Sequence, residues 1–147
     1  MVVIAVDTNV LVYAHRRDST WHHSAEQSLR DLAEGARAWA IPWPCVHEFL
    51  AIVTHPRIYA PPSTVGEAKA QIDAWFESPT LQVIGESRRH WNTLSALLSA
   101  AQIQGPRIHD ARIAAICINS GVRELLTADR DFSRFPDLAT RNPLIGG

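Results

Sequence analysis

Val2-Val3-Ile4-Ala5-Val6-Asp7-Thr8-Asn9 opens the chain, and its reading decides the fold. Five apolar residues in a row, mostly β-branched, describe a strand covered on both faces. Polarity then changes at once. Asp7, Thr8 and Asn9 can each accept N–H bonds at a helix start, so the spacing predicts a strand turning directly into a helix over Thr8 to His15.

The same alternation continues outward from this unit. Ser24 to Glu34 places Ala25, Leu29, Leu32 and Ala33 at helical spacing, and Ala36 to Ile41 reads as a second strand stopped by Pro42. Pro44 suits a helix first turn, and Val46, Phe49, Leu50 and Val53 continue one apolar face to His55. Prolines mark a loop from Pro56 to Pro62. Ser63 or Thr64 can then cap a helix to about Glu77, with Glu67 as capping-box partner. Leu81 to Ile84 is a third strand, Ser87 to Gln104 a long helix, and Gly105-Pro106 a break. Ile108 to Asn119 is a helix ended by Gly121, Glu124 to Thr127 a fourth strand, and Leu138 to Arg141 a short fifth. The expectation is one α/β domain over residues 1–147, a three-layer α/β/α sandwich around a mainly parallel sheet of four to five strands. Ligands of such sheets sit beyond the carboxyl ends of the strands.

Composition narrows the class. A chain of 147 residues with 46% hydrophobic and 20% charged residues has enough apolar material for a core without disulfides or structural metal. It is not collagen-like, disordered or coiled-coil. The longest apolar runs are far short of the ~20 residues that cross a bilayer, and the start has no basic region of a secretory signal. Cys45 and Cys117 lie in apolar stretches without metal-ligand spacing, as reduced core residues of a cytoplasmic protein would. The net charge of -1 excludes a globally basic nucleic-acid binder. Lys69 is the only lysine. Arginines fork phosphates well, although codon bias gives the same ratio.

Several carboxylates stand where structure alone does not ask for them. Asp7 follows the first strand, where it is either an N-cap or a site residue. Asp110 lies on a helix that is apolar on nearly every face, and a carboxylate on a buried helix needs a cation or several donors. Arg112, two residues on, does not face it. Asp129 and Asp131 follow the fourth strand, on the same sheet edge as Asp7; a turn or cap explains one of them more readily than both. Glu48 flanks an apolar helical stripe and, by itself, is an ordinary solvated residue. Carboxylates gathered on one edge repel one another and raise each other's pKa unless a cation intervenes. Hard oxygen ligands suit Mg²⁺ or Mn²⁺ completed by substrate phosphates.

Taken in order, Asp7-Thr8-Asn9, Glu48, His109-Asp110-Ala111 and Leu126-Thr127-Ala128-Asp129-Arg130-Asp131-Phe132 resemble the PIN-domain ribonucleases. Within that family they look most like VapC-type toxins of bacterial toxin–antitoxin pairs. The similarity runs from Val3 to about Pro143. Each motif is weak alone; four in order at this length are strong. The resemblance implies an endoribonuclease that cuts single-stranded or looped RNA with Mg²⁺ or Mn²⁺. The ion would be held by Asp7, Glu48, Asp110 and Asp129, with Asn9 and Thr127 orienting the carboxylates and Asp131 either supporting them or serving as an alternate ligand. It also implies metal-activated water attacking in line and leaving a 5′-phosphate, a homodimer, and a cognate VapB-type antitoxin that covers the site.

RNA contacts must come from other residues. Stacking and phosphate candidates are Arg16, Arg17, Trp21 and His22 after the first helix, Arg57 in the proline-rich loop, and Arg112 beside Asp110. Trp39, Trp43, Trp75 and Trp91 read as core or interface residues. The alternatives fit less well. A phosphatase of the aspartyl-phosphate type needs a second aspartate at position 9, which is asparagine. A receiver domain needs a late lysine, and a dinucleotide enzyme a glycine-rich first turn. The seven histidines have no zinc spacing. A weakly active PIN-fold module that only binds RNA or protein remains the non-enzymatic reading.

Overall fold

β1 (Val3–Val6) is the middle strand of a five-stranded sheet in the computed structural model, which describes residues 3–145. Val2, expected to begin the strand, lies outside the described residues. The order is β3 (Leu81–Ile84), β2 (Trp39–Pro42), β1, β4 (Val122–Leu126), β5 (Ala139–Arg141), and every pairing is parallel. The expectation of a mainly parallel sheet is therefore met in its stricter form.

Handedness distributes the helices. From β1 to β2 to β3 the chain steps one way across the sheet, through α1 (Thr8–His15), α2 (His22–Glu34), α3 (Trp43–Val53) and α4 (Val65–Phe76). From β3 to β4 it steps back the other way, through α5 (His90–Ala100) and α6 (Ile108–Asn119). Right-handed crossovers put these two sets on opposite faces, which makes three layers. Packing agrees: α1 meets α2 and α3, α3 meets α4, and α5 meets α6. The step direction reverses between β1 and β4, so the crevice of the sheet opens there.

Local chemistry explains most boundaries. Thr64 caps α4, accepting from the Glu67 N–H at 3.0 Å, while the Glu67 carboxylate accepts from the Thr64 N–H at 2.9 Å. Gly121 takes a φ of 76°, which lets the chain leave α6 sharply. Two boundaries differ from expectation. Pro42 does not stop β2 but ends it, in register with Ile84, because a strand terminus tolerates a missing donor. The helix predicted over Ser87–Gln104 shrinks to α5: its first residues form a turn, and Gln102 takes a φ of 53° just past its end.

The core joins both helix layers to the sheet through fully buried Trp39, Phe49, Phe132, Phe135, Leu125 and Ile116. Trp39 also donates to Ser78 Oγ at 3.0 Å, satisfying its indole N–H. Trp75 is buried against Phe49. Trp43 and Trp91 are not core residues, being 42% and 67% exposed. Trp43 starts α3 and is not among its buried residues, and α5 buries no residue fully. Among the described residues, no helix is long and apolar enough to cross a membrane.

Candidate functional site

Register builds the centre of the site. Val6 pairs with Leu126, so the next residue of each strand, Asp7 and Thr127, stands at the same sheet edge. The Asp7 N–H donates to the Leu126 carbonyl at 2.9 Å and locks that alignment. Asp7 is 5% exposed and its carboxylate is well supplied with donors. Oδ1 accepts from the Thr8 N–H at 2.8 Å and from the Cys45 thiol at 3.7 Å. Oδ2 accepts from Thr127 Oγ1 at 2.7 Å and from Asn9 Nδ2 at 3.4 Å. Even so, burial pushes its pKa up to about 6, with repulsion from Glu48 and Asp129 adding to it.

Thr127 ties the two acidic loops together. Besides donating to Asp7, its oxygen accepts from the Asp129 N–H at 3.0 Å and from Asn9 Nδ2 at 3.4 Å. Asn9 Oδ1 in turn accepts from the Ala128 N–H at 3.2 Å. Asp129 Oδ1 accepts from the Asp131 N–H at 2.8 Å, which holds the turn after β4. Thr127→Val keeps the β-branched shape but strips Asp7 of its shortest donor and Asp129 of its acceptor. We expect a loss of about 1–3 kcal/mol in urea unfolding at pH 7, largely restored in Thr127→Ser.

Three carboxylates converge beside this network. Asp110, Asp129 and Asp131 each bring one oxygen within 4.8 Å of the other two. Asp110 comes from the first turn of α6, where the helix N-terminus favours an anion. Its pKa is raised to about 6 by partial burial first and then by repulsion from Asp129, Asp7 and Asp131. Glu48, on the exposed flank of α3, is also raised, by partial desolvation and by Asp110.

The geometry thus regroups the acids. Asp131, expected as a supporting or alternate ligand, stands in the tight triad, while Asp7 and Glu48 lie outside it and couple to Asp110. Residue spacing could not show this, because the turn from Asp129 to Asp131 decides which carboxylate faces inward. The triad offers oxygen donors only, and Arg107 approaches Asp131 at 3.8 Å. A set of close, mutually repelling carboxylates fits a hard divalent cation.

Two clefts meet at Asp110. One, of about 520 Å³, is lined by Gln102, Gln104, Pro106, Arg107, Asp110, Asp131 and Arg134. The other, of about 440 Å³, is lined by Pro44, His47, Glu48, Pro106, His109, Asp110 and Arg112. His47, His109 and Arg134 were missed as site residues. His47 and His109 directly precede the two helix-borne acids in sequence, which was the available signal.

The candidate RNA contacts fall elsewhere, with one exception. Arg16 is committed within the fold: it pairs with Asp18 at 2.7 Å, donates to Ser63 and to the Pro61 carbonyl, and stacks on Tyr59. Trp21 packs on Tyr13, and His22 is bonded to the Tyr13 carbonyl. Arg16, Arg17 and His22 line clefts that contain none of the acids. Arg57 is exposed in the loop after α3. Arg112 does line the acidic cleft, and it pairs with Glu86 at 2.6 Å rather than with Asp110.

A parallel α/β sheet with carboxylates clustered at its switch point defines an α/β protein whose site could hold a hard cation. Residues 4–138 match the PIN domain, and the chain belongs to the PIN-domain family. Among its relatives, the VapC ribonuclease Mb2897 of Mycobacterium bovis is 33% identical over 144 residues, spanning 98% of this chain and 97% of that protein. Ribonuclease VapC48 of Mycobacterium tuberculosis is 26% identical over 140 residues, spanning 95% of this chain and 97% of its own. Solved structures share the fold. VapBC2 from Rickettsia felis, crystallised with a DNA fragment from its promoter, matches with a TM-score of 0.70 at 22% identity, covering 95% of this chain and 98% of that one. VapC20 of Mycobacterium tuberculosis, a toxin that cleaves the sarcin–ricin loop, gives 0.65 at 17% identity over 88% and 92%.

Proposed function

We propose that this protein is a divalent-metal-dependent endoribonuclease, acting in the cytoplasm as the toxin of a toxin–antitoxin pair. The observation that carries the reading is the triad of Asp110, Asp129 and Asp131 oxygens within 4.8 Å, set above the buried Asp7–Thr127 network at the crevice of the sheet. The relatives named VapC ribonucleases, matched over nearly their whole length, support the same activity. A homodimer and a VapB-type antitoxin partner are the assembly this reading implies, in line with the toxin–antitoxin complexes among the structural neighbours.

Asp110, Asp129 and Asp131 would hold Mg²⁺ or Mn²⁺, with Asp7 and Glu48 close enough to complete its environment. When bound, such an ion neutralises phosphate charge and makes water nucleophilic near neutral pH. The residues of the chain do the rest. Thr127 and Asn9 fix the Asp7 carboxylate, and the Asp129–Asp131 turn fixes two more, so little reorganisation accompanies reaction. Glu48, exposed on the flank and raised in pKa, would take the proton of the attacking water. Arg112 supplies positive charge on the wall of the cleft, offsetting repulsion between RNA and the acids. Water adds to phosphorus, the bond to the 3′ oxygen breaks and that oxygen takes a proton from solvent, and the products carry a 5′-phosphate and a 3′-hydroxyl.

The test is incubation of total cellular RNA with purified protein and Mn²⁺, with mapping of both ends of each cut. Discrete cuts bearing 5′-phosphates, absent with a chelator, are the expected result. Cleavage that persists in chelator, or that leaves 2′,3′-cyclic ends, overturns the metal-dependent mechanism. Absence of both Mn²⁺ binding and RNA cleavage favours the binding-module alternative.

A further inference from the structure

Trp43 stands apart from the other buried or scattered aromatics because of its place at the sheet edge. It directly follows β2, beside the end of β1 where Asp7 lies, and one helical turn before His47 and Glu48. Its indole is 42% exposed yet held from three sides. Phe76 meets it edge-on with centroids 6.2 Å apart, the His47 ring is tilted against it at 6.2 Å, and Gly85 lies so close that a Cβ there would sit 3.3 Å from the indole. An exposed tryptophan fixed by its neighbours has little rotamer freedom left to lose on binding.

The strand order sets what flanks it. Carboxyl ends in the order β4, β1, β2, β3 carry, in turn, Asp129 and Asp131, Asp7, Trp43 with His47, and the loop Gly85 to Arg89 with exposed Arg88 and Arg89. Neighbouring strands lie ~4.8 Å apart, so the row from acids to aromatics to arginines spans roughly 15 Å. His47 also lines the cleft that reaches Glu48, Asp110, His109 and Arg112, which makes the aromatic cluster continuous with the acidic centre. Acids for the reacting phosphate, a ring for a base and arginines for the next phosphate are the elements that grip an unpaired strand.

We propose that Trp43, steadied by Phe76 and His47, is a base-stacking subsite for an unpaired nucleotide adjacent to the cleaved phosphate. The subsite deepens the nuclease reading and rests on it. The ring recognises the π-face of a base, so it selects unpaired RNA over duplex and tolerates base identity. Glycine at 85 is part of the device, since a larger residue would press on the indole.

The test compares the whole protein with Trp43→Ala and Trp43→Phe, using 5′-labelled hexauridylate and hexaadenylate in Ca²⁺ for affinity and a cleaved RNA in Mn²⁺ for rates. Trp43→Ala should weaken both oligonucleotides by roughly tenfold and raise KM similarly, with kcat changed little, and Trp43→Phe should recover most of the loss. On an oligonucleotide of abasic units the Trp43→Ala penalty should shrink to about twofold or less. Unchanged affinity and KM in Trp43→Ala, with cutting intact in the native protein, overturn the subsite alone and leave the cluster to a protein partner. An equal penalty on the abasic oligomer overturns it as well, by making Trp43 a structural residue. A native protein that neither binds nor cuts RNA overturns the nuclease reading and the subsite together.

Discussion

Asp110→Asn should reduce RNA cleavage by roughly 10²–10³-fold or more while leaving the fold intact. The argument is geometric. Asp110 accepts no hydrogen bond among the described side-chain contacts, and repulsion from Asp129, Asp7 and Asp131 helps to raise its pKa. Asparagine is its isostere and relieves repulsion, so no packing or capping contact is lost. What is lost is the charge of one of three carboxylates whose oxygens lie within 4.8 Å of one another and make the site. Asp7→Asn should silence the enzyme too, but with a structural effect as well. Its Oδ2 accepts from both Thr127 and Asn9, and an amide nitrogen there would face two donors. Asp110→Asn is therefore the cleaner probe. Circular dichroism and melting should show native structure beside the lost cleavage, and activity that survives both substitutions would refute the site.

Stability of the ion-free protein should respond to pH in a direction opposite to that of ordinary paired carboxylates. Asp7 and Asp110 titrate at about 6 in the native protein, against 3.8 for a free side chain. The native state thus holds more protons than the unfolded chain between about pH 4 and pH 6. Its stability contribution from these groups falls as pH rises through that window, and the penalty is fully present above it. Asp110→Asn removes its own share of the penalty and lowers that of Asp7. In chelator at pH 7 the variant should be more stable than the native protein by about 1 kcal/mol, after allowance for solvent screening, or about 2–4 °C in Tm. The gap should close near pH 4. Saturating Mn²⁺ should reverse the order, because binding to the native site at 100 times Kd adds about 2.7 kcal/mol that the variant largely forgoes. Thermal melts at pH 4.5 and 7, with chelator and with Mn²⁺, check all four corners. A difference independent of pH and of Mn²⁺ would show that the acids do not act as a coupled group.

The fold was legible where local chemistry is unambiguous. A β-branched run with no polar residue reads as a covered strand, so β1 emerged from pattern. Capping chemistry placed α4 to within a residue, through Thr64 and Glu67. The ends of α5 and the extent of β2 were less legible, since both depend on what the neighbouring strand or helix accepts.

The acids of the site were legible for a related reason. A carboxylate at the end of an apolar strand, or on a helix as apolar as α6, conflicts with the burial its neighbours demand, and that conflict is visible in one dimension. Sequence by itself therefore determined the α/β class and singled out Asp7, Asp110, Asp129 and Asp131 as carboxylates out of place, whereas Glu48 entered only with the family resemblance. Tertiary structure decided the rest. It chose Asp131 for the triad, through a turn in which the Asp131 N–H donates to the Asp129 carboxylate. It withdrew Arg16 into a network with Asp18 and Tyr59, and brought Trp43 out to the rim beside Gly85. A residue type states which contacts it can make. Strand order and helix crossing decide which partners lie within the few ångströms where those contacts have energy.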